Sequence, residues 1–194
     1  MKRVGVLSLQ GDVGEHVAML NTLGCDVVKV RTLEQLDSVD ALILPGGEST
    51  TIAHLLVTSG LSDALAVKLK EEMPVLGTCA GLILLSSEIL DGRSDQWSYG
   101  ALSASVRRNG YGRQIASFES ELDVKGVGSV PGVFIRAPRI EHIGDEVEVL
   151  ATLDHGDGAG VHPVLVRQGH VWGLSFHPEL SGDTRVHELF LNSL

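Results

Sequence analysis

The sequence has little cysteine, no long apolar stretch and no long run of basic residues. Its 194 residues include only two cysteines, Cys25 and Cys79, which are too few for a disulfide framework. We expect both thiols to be reduced, as is typical of the cytosol, and therefore expect a cytoplasmic protein. A formal net charge of −10 without a basic run argues against nucleic-acid binding and favours solubility.

No segment approaches the roughly 18 consecutive apolar residues that a membrane span needs. Residues 4–9 form a short apolar stretch after two basic residues, which is the order found in signal peptides. Gln10, Gly11 and Asp12 end this stretch early, and no small-residue cleavage site follows. We therefore expect neither a membrane span nor a secretory leader.

Hydrophobic residues make up 43% of the chain and charged residues 21%, which is typical of a globular protein with one sizeable core. The sequence contains no evident linker, internal repeat or low-complexity segment. We therefore predict one domain over residues 1–194.

Short apolar segments alternate with segments of helical periodicity through about the first ninety residues. A helix is expected after Asp12, with Glu15 in its first turn and Gly24 after its end. This alternation is typical of parallel βαβ units. The other predicted elements here are strands at residues 4–9, 26–30, 41–44 and 74–77, and helices at residues 50–58, 62–72 and 82–89.

The second half of the chain has short strand-like segments without long helices between them. We predict that these segments add further, antiparallel strands to the same sheet, and that a terminal helix follows at residues 186–194. The predicted strands are residues 103–107, 133–135, 147–150 and 164–166.

One cysteine lies in the sequence Gly77-Thr78-Cys79-Ala80-Gly81, between a predicted strand and a predicted helix. This layout is typical of a nucleophile elbow, in which small neighbours let the side chain stand on a strained turn. Amides at the start of the helix would stabilise a thiolate there. The pentapeptide is also compatible with a buried structural cysteine in a glycine-rich turn.

A histidine and a carboxylate lie two positions apart in His177-Pro178-Glu179. In an extended segment such residues point to one face, so both side chains can reach the same region. Histidine suits the role of a base near neutral pH, and the carboxylate would orient it. A surface turn with incidental polar residues is the alternative.

The remaining cysteine and histidines indicate no second site. Cys25 precedes an apolar strand and has no glycine after it, which is typical of a small core residue. The other histidines lack the spacing of a zinc site, and no cysteine cluster accompanies them, so we expect no metal. These histidines are His16, His54, His142, His155, His162, His170 and His187.

A glycine pair follows the third predicted strand, in Pro45-Gly46-Gly47. In elbow enzymes one oxyanion donor is the amide after the nucleophile, here Ala80, and a glycine loop supplies the other. Gly46 or Gly47 can provide that second amide. The spacing of a phosphate-binding loop is absent, and a plain strand-to-helix turn is the alternative.

In this order, the three elements resemble the glutamine amidotransferase domains that carry a Cys-His-Glu triad. Over nearly the whole chain, the sequence resembles the glutaminase subunits of pyridoxal 5′-phosphate synthase. The segments that carry this resemblance are Gly5-Val6-Leu7, Leu9-Gln10-Gly11, Leu44-Pro45-Gly46-Gly47-Glu48-Ser49-Thr50-Thr51, Gly77-Thr78-Cys79-Ala80-Gly81-Leu82, Arg108-Asn109, Tyr111-Gly112-Arg113-Gln114, Phe118-Glu119, Val133-Phe134-Ile135-Arg136-Ala137-Pro138 and Ser175-Phe176-His177-Pro178-Glu179-Leu180.

The resemblance implies a flavodoxin-like, doubly wound α/β fold with a mostly parallel sheet, in one glutaminase domain. It implies that Cys79 attacks the amide of L-glutamine and forms a γ-glutamyl thioester. His177 would protonate the departing ammonia and then activate water, and Glu179 would hold His177. The residues implied to contact substrate are Gly47, Glu48, Ser49, Arg108, Ile135 and Arg136.

An arginine suits this substrate because a guanidinium can grip an α-carboxylate bidentately. From the residues alone, Arg107, Arg108 and Arg113 are equally eligible; only the resemblance selects Arg108.

The resemblance also implies a partner, a synthase subunit that makes pyridoxal 5′-phosphate from two sugar phosphates and ammonia in a hetero-oligomeric complex. Pyridoxal phosphate would be the product of the assembly, and we expect no cofactor in this chain. Three alternatives stay open: an amidotransferase subunit of a different synthase, a thiol hydrolase or peptidase on a similar fold, and a non-catalytic binding or redox-sensing module.

Overall fold

The computed structural model describes residues 2–93, 95–110, 117–154, 158 and 160–194. Tyr111-Gly112-Arg113-Gln114, which contributed to the family resemblance, lies outside the described residues.

Five adjacent parallel strands make up most of the main sheet and pair in the order β2-β1-β3-β4-β12, with β2 at one edge. They are β1 (Arg3–Leu7), β2 (Asp26–Val30), β3 (Ala41–Leu44), β4 (Val75–Thr78) and β12 (Val171–Leu174). Antiparallel β10 (Glu148–Asp154) and β11 (Val161–Gln168) continue the sheet beyond β12. Because this strand order is that of flavodoxin-like folds, the predicted fold class is confirmed.

The central strands are apolar on both faces because helices or further strands cover both sides of the sheet. In β3, Leu42 and Leu44 join one hydrophobic cluster, whereas Ala41 and Ile43 join the other. This alternation follows from the two-residue period of a strand. The continuous apolar runs in the first half of the sequence therefore correspond to strands buried on both faces.

One face of the sheet is covered by α1 (Val13–Thr22), α6 (Arg185–Leu191) and the hairpin of β7 (Ser117–Val124) and β8 (Gly128–Ile135). The other face carries four helices and a small sheet of three strands. These elements are α2 (Leu33–Asp37), α3 (Ser49–Thr58), α4 (Leu61–Lys70), α5 (Ala80–Leu85), β5 (Ser86–Ile89), β6 (Leu102–Arg107) and β9 (Arg139–Ile143).

The predicted helix at residues 82–89 is wrong in its second half. Helix α5 ends at Leu85, and Ser86 is extended, with φ −60° and ψ 156°. The Ser86 hydroxyl donates to Ile83 O at 2.8 Å, and the Ser87 hydroxyl donates to Ala104 O at 3.1 Å. Serine hydroxyls compete with the helical backbone in this way, and the chain continues as β5 beside β6.

The prediction that all later strands join the same sheet is also wrong in part. Residues 147–150 and 164–166 contribute to the main sheet, but residues 103–107 and 133–135 lie in the two smaller sheets. Side chains of β6 alternate between buried and half-buried, which is the pattern of a strand covered on one face only. The terminal helix ends at Leu191, earlier than expected.

Within the described part of the chain, no single helix is long and apolar enough to cross a membrane. Helices α3 and α4 together meet the length and composition criteria, but the pair is bent by 101° where the two helices join.

Two glycines allow the elbow after β4 to pack backbone against backbone. A Cβ atom on Gly81 would lie 2.1 Å from the carbonyl oxygen of Leu44, and one on Gly77 would lie 2.6 Å from the carbonyl carbon of Gly81. Neither contact can be relieved by a side-chain rotation, so both positions exclude any larger residue. The expectation that the neighbours of Cys79 must be small is therefore confirmed.

We predict that Gly81→Ala lowers the free energy of unfolding by about 1–3 kcal/mol, because the methyl group overlaps fixed backbone. Gly14→Ala is the matched control, since Gly14 lies in α1 and a Cβ there meets no atom within 4 Å. That variant should be stabilised by about 0.4–1 kcal/mol. Urea unfolding of both variants measures the difference, and equal stability of the two would contradict the packing argument.

Candidate active site

The strand order brings three loops together at the carboxyl edge of the sheet. The glycine pair follows β3, Cys79 follows β4, and His177 follows β12, and these three strands are neighbours. Ligands bind at this edge in open α/β sheets. The fold therefore places the three predicted elements side by side.

Cys79 occupies a strained turn between β4 and α5. Its φ of 49° and ψ of −100° are unfavourable for a residue with a Cβ atom. Two backbone hydrogen bonds hold the turn: Cys79 N donates to Leu174 O at 2.8 Å, and Ile83 N donates to Cys79 O at 3.2 Å. The side chain is 7% exposed and lines the cleft at this edge. This is the geometry of a nucleophile elbow.

His177 contacts both predicted partners. Its Nδ1 atom lies 2.7 Å from Oε1 of Glu179, and its ring is close enough to the thiol of Cys79 for the two groups to interact. The backbone amide of His177 donates to Val133 O at 2.8 Å, which ties the residue to β8. The structure thus brings Cys79, His177 and Glu179 into one continuous chain of contacts.

The electrostatics of this trio depend on burial and on their mutual hydrogen bonds. Burial alone lowers the pKa of His177, but hydrogen bonds and charge interactions with Cys79 and Glu179 outweigh it and raise that pKa to about 10. Burial raises the pKa of Glu179, and the bond from His177 opposes this rise. A protonated His177 is therefore stabilised between two acceptors.

Asp12 also faces His177, a contact that the sequence did not suggest. Asp12 is the N-cap residue of α1, as expected, but its side chain makes no capping hydrogen bond. Its Oδ2 atom lies 3.4 Å from His177 Nδ1. The only available signal was the position of Asp12 just after β1, at the carboxyl edge of the sheet.

Among the described residues, Asp12, His177 and Glu179 also form a group with the geometry to hold a metal ion, with ligand atoms within 4.8 Å of one another. In this structure Nδ1 of His177 is hydrogen-bonded to Glu179 at 2.7 Å. The expected absence of a metal stays a prediction.

The glycine loop packs directly against the histidine ring. A Cβ atom on Gly46 would lie 2.4 Å from Cε1 of His177. The carbonyl of Gly46 accepts a hydrogen bond from Asp12 N at 3.1 Å, and Gly47 has a φ of 152°. Ala80 is the first residue of α5, so its amide has no acceptor within the helix. Gly46 thus lies against the ring of His177, Ala80 directly follows Cys79, and Gly47 lines the same cleft as both side chains.

A cleft of about 360 Å³ opens beside Cys79 and His177. All six residues predicted to contact substrate line this cleft, together with Gln10, Asp12 and Asn109, which sequence reasoning did not select as site residues. The six are Gly47, Glu48, Ser49, Arg108, Ile135 and Arg136.

The structure separates the arginines that the sequence left equivalent. Arg108 Nη2 donates to Glu48 Oε1 at 3.1 Å, and the buried Nε of Arg108 has no partner among the described residues. Arg107 Nε instead donates to Glu141 Oε1 at 2.9 Å on β9. Arg113 lies outside the described residues. Of the two described arginines at the end of β6, Arg107 and Arg108, only Arg108 therefore lines the cleft.

Glu48 is held in place by the start of α3 rather than left free. Its carboxylate accepts bonds from the amides and hydroxyls of Thr50 and Thr51 as well as from Arg108. Burial raises the pKa of Glu48, but the hydrogen bonds from Thr50 and Thr51 outweigh it and lower that pKa to about 2. A fixed negative charge therefore orients Arg108 at the wall of the cleft.

Ile135 and Arg136 also line the cleft. Ile135 is 37% exposed, which is unusual for a large apolar side chain. Arg136 has a φ of 42°, a left-handed conformation that costs energy in a residue with a side chain. Strained backbone of this kind is concentrated at functional sites.

Cys25 lies apart from this cleft, where it packs half-buried against one hydrophobic cluster, and burial raises the pKa of its thiol. Two histidines that the sequence did not single out, His16 and His187, are fully buried behind Glu179. No local pattern marks them, because they belong to α1 and α6 at opposite ends of the chain.

Comparison with known proteins gives close relatives over the whole length. Two are named pyridoxal 5′-phosphate synthase subunit PdxT: one from Mycobacteroides abscessus, 53% identical over 190 residues, and one from Rhodococcus opacus, 50% identical over 192 residues. Each alignment covers 97% of this chain and 95% of the relative.

A solved structure described as a glutamine amidotransferase superposes with a TM-score of 0.90 at 50% identity, covering 98% of this chain and 97% of that chain. The family model for SNO glutamine amidotransferases matches residues 6–194. This chain, with its cysteine elbow beside a histidine and a buried glutamate, belongs to the SNO glutamine amidotransferase family.

Proposed function

We propose that this chain hydrolyses L-glutamine to L-glutamate and ammonia, and that it passes the ammonia to a partner subunit that makes pyridoxal 5′-phosphate. The observation that carries the proposal is the contact chain from Cys79 through His177 to Glu179 at the cleft, in a member of this family. The names of the curated relatives support the vitamin B6 pathway. A single catalytic domain over residues 1–194, in the cytoplasm, fits this role.

Cys79 is the nucleophile in this mechanism. Its thiolate, paired with a protonated His177, attacks the side-chain amide carbon of glutamine. His177 then donates its proton to the departing nitrogen, and ammonia leaves while the γ-glutamyl thioester forms. The neutral His177 next takes a proton from water, which attacks the thioester, and glutamate leaves. Glu179 keeps the imidazole oriented and stabilises its charged form.

The tetrahedral intermediates carry a negative oxygen that needs donors. The amide of Ala80 at the start of α5 and an amide of the Gly46–Gly47 pair supply them in this proposal. Because a side chain at position 46 would displace the ring of His177, the loop is confined to glycine where it meets the base.

Arg108 binds the α-carboxylate of glutamine in this proposal, with Glu48 holding the guanidinium. Ser49 and Arg136 contribute polar groups, and Gly47 and Ile135 shape the walls. The partner synthase receives the ammonia inside a hetero-oligomeric complex, since free ammonia would be protonated in water and lost as a nucleophile.

The first prediction from the proposed function concerns the nucleophile. Cys79→Ser should lower glutamine-dependent ammonia release at least about a thousandfold, because the hydroxyl is not ionised by His177. Cys25→Ser is the matched control and should keep the activity, since Cys25 lies outside the cleft.

Both variants are assayed with the pyridoxal phosphate synthase subunit, and the wild type is also assayed with synthase subunits of other pathways. Stimulation only by a partner from nucleotide or amino-acid biosynthesis would reject the vitamin B6 assignment. Unchanged ammonia release in Cys79→Ser would reject the mechanism.

The second prediction concerns the substrate grip. Arg108→Ala should raise the KM for glutamine about 10- to 100-fold, which corresponds to the loss of one charge-assisted hydrogen bond. Arg107→Ala should leave KM unchanged, because Arg107 pairs with Glu141 on β9. Steady-state kinetics with the synthase present measures both values, and a larger effect at position 107 would reverse the assignment.

The third prediction concerns the charged histidine. The wild-type pKa of His177 is expected near 10, and Cys79→Ala should lower it, because the variant removes one of the two acceptors that oppose burial. NMR titration of the imidazole protons measures the pKa in both proteins. The same pKa in wild type and Cys79→Ala would mean that the thiol and the ring do not interact.

A further inference from the structure

A second hydrogen-bond chain lies behind Glu179, away from the cleft. Nε2 of His16 is 3.1 Å from the hydroxyl oxygen of Thr78 and 3.4 Å from Oε2 of Glu179. On its other side, Nδ1 of His16 is 3.0 Å from Nε2 of His187. All four side chains are buried, with His16, Thr78 and His187 at 0% exposure.

His16 and His187, the two histidines of this hydrogen-bond chain, are neutral at neutral pH. Burial, together with the nearby His187 and His177, lowers the pKa of His16 well below its usual value. Burial lowers the pKa of His187 to about 4. A neutral imidazole has one donor nitrogen and one acceptor nitrogen, so only two arrangements of protons satisfy the 3.0 Å contact between the rings.

The surroundings of the two nitrogens outside this contact, Nε2 of His16 and Nδ1 of His187, favour one of the two arrangements. Nδ1 of His187 is buried without a partner among the described residues. A proton on that atom would leave a buried N–H unpaired, whereas an unpaired acceptor is tolerated more often. His187 therefore carries its proton on Nε2 and donates to Nδ1 of His16, which leaves His16 protonated on Nε2 and facing Glu179.

Glu179 needs such a donor because its surroundings oppose its charge. Burial raises its pKa, and the carboxylate of Asp12 raises it further, while His177 and a backbone hydrogen bond lower it. His177 hydrogen-bonds only Oε1, and Oε2 is buried without a hydrogen-bond partner among the described residues, with Nε2 of His16 facing it at 3.4 Å. The Nε2–H group of His16 is thus the donor from α1 that can bind the second carboxylate oxygen of Glu179, Oε2.

We propose that His16 is a positioning residue for glutamine hydrolysis, which donates from Nε2 to the second carboxylate oxygen of Glu179 while His187 holds it in that tautomer. This inference rests on the proposed function. Its consequence is that α1 and α6 help to keep Glu179 ionised, and an ionised Glu179 keeps His177 directed at Cys79. The same nitrogen hydrogen-bonds the hydroxyl of Thr78 at 3.1 Å, so the proposal requires one N–H that is shared between Thr78 and Glu179.

The decisive test is the pH profile of kcat/KM for glutamine with the synthase present. In His16→Phe the carboxylate loses a donor, so its pKa rises and its ionised form is lost at higher pH. The acid limb should therefore move upward by about one to two pH units, the shift that one charge-assisted hydrogen bond corresponds to. At neutral pH kcat/KM should fall about 10- to 100-fold.

His16→Gln is the matched variant, because its amide nitrogen can take the place of Nε2. It should keep the acid limb of the wild type and most of the activity, even where thermal stability falls as much as in His16→Phe. An unmoved acid limb in His16→Phe, or equal displacement in both variants, would overturn the proposal and leave His16 a structural residue.

A measurement without activity tests the tautomers directly. Ring nitrogen NMR of the free chain at pH 7 should find His16 protonated on Nε2 and unprotonated on Nδ1, and His187→Leu should mix the two forms. The opposite tautomer of His16 would overturn the proposal. A wild type that releases no ammonia would instead overturn the proposed function, whereas an active wild type with an unmoved acid limb in His16→Phe overturns this inference alone.

Discussion

The parallel pairing of β12 with β4 is the constraint on which the site depends. In this register Gly173 lies beside Gly77 and Leu174 beside Thr78, and Leu174 accepts the hydrogen bond from the backbone of Cys79. The last residues of the two strands, Leu174 and Thr78, are paired, so the loops that follow them lie side by side. A sulfur and an imidazole that are almost a hundred residues apart thereby meet at one edge of the sheet.

Close backbone packing and a buried charge are the two costs of this arrangement. Glycines at positions 46, 77 and 81 have neighbours where a Cβ atom would fall, and each contact fixes a loop or helix against the site. Glu179 lies within the core, where burial raises its pKa and a carboxylate needs donors to stay ionised. The protein meets that need with His177 at the cleft and, in our proposal, with His16 from behind. Catalysis and core packing are therefore coupled through one carboxylate.

Local patterns predicted the parts of the site that one segment can form alone. The buried strands followed from apolar runs, the elbow followed from two glycines around Cys79, and His177 and Glu179 followed from their spacing. Contacts between distant segments had no such signal. His16 and His187 are 171 positions apart, and the side chain of Asp12 turns to His177 instead of capping its own helix. The change from helix to strand at Ser86 likewise involves hydrogen bonds from the hydroxyls of Ser86 and Ser87, which the spacing of apolar residues does not reveal.

The most direct test of this account is to trap the nucleophile with an electrophilic analogue of glutamine and to map the adduct by mass spectrometry. We expect a single covalent adduct on Cys79 in the complex with the synthase, and little or none in His177→Ala. Free glutamine should protect the thiol. Equal labelling of Cys25 and Cys79, or full labelling of Cys79 in His177→Ala, would contradict the claim that the cysteine and the histidine act as one catalytic pair.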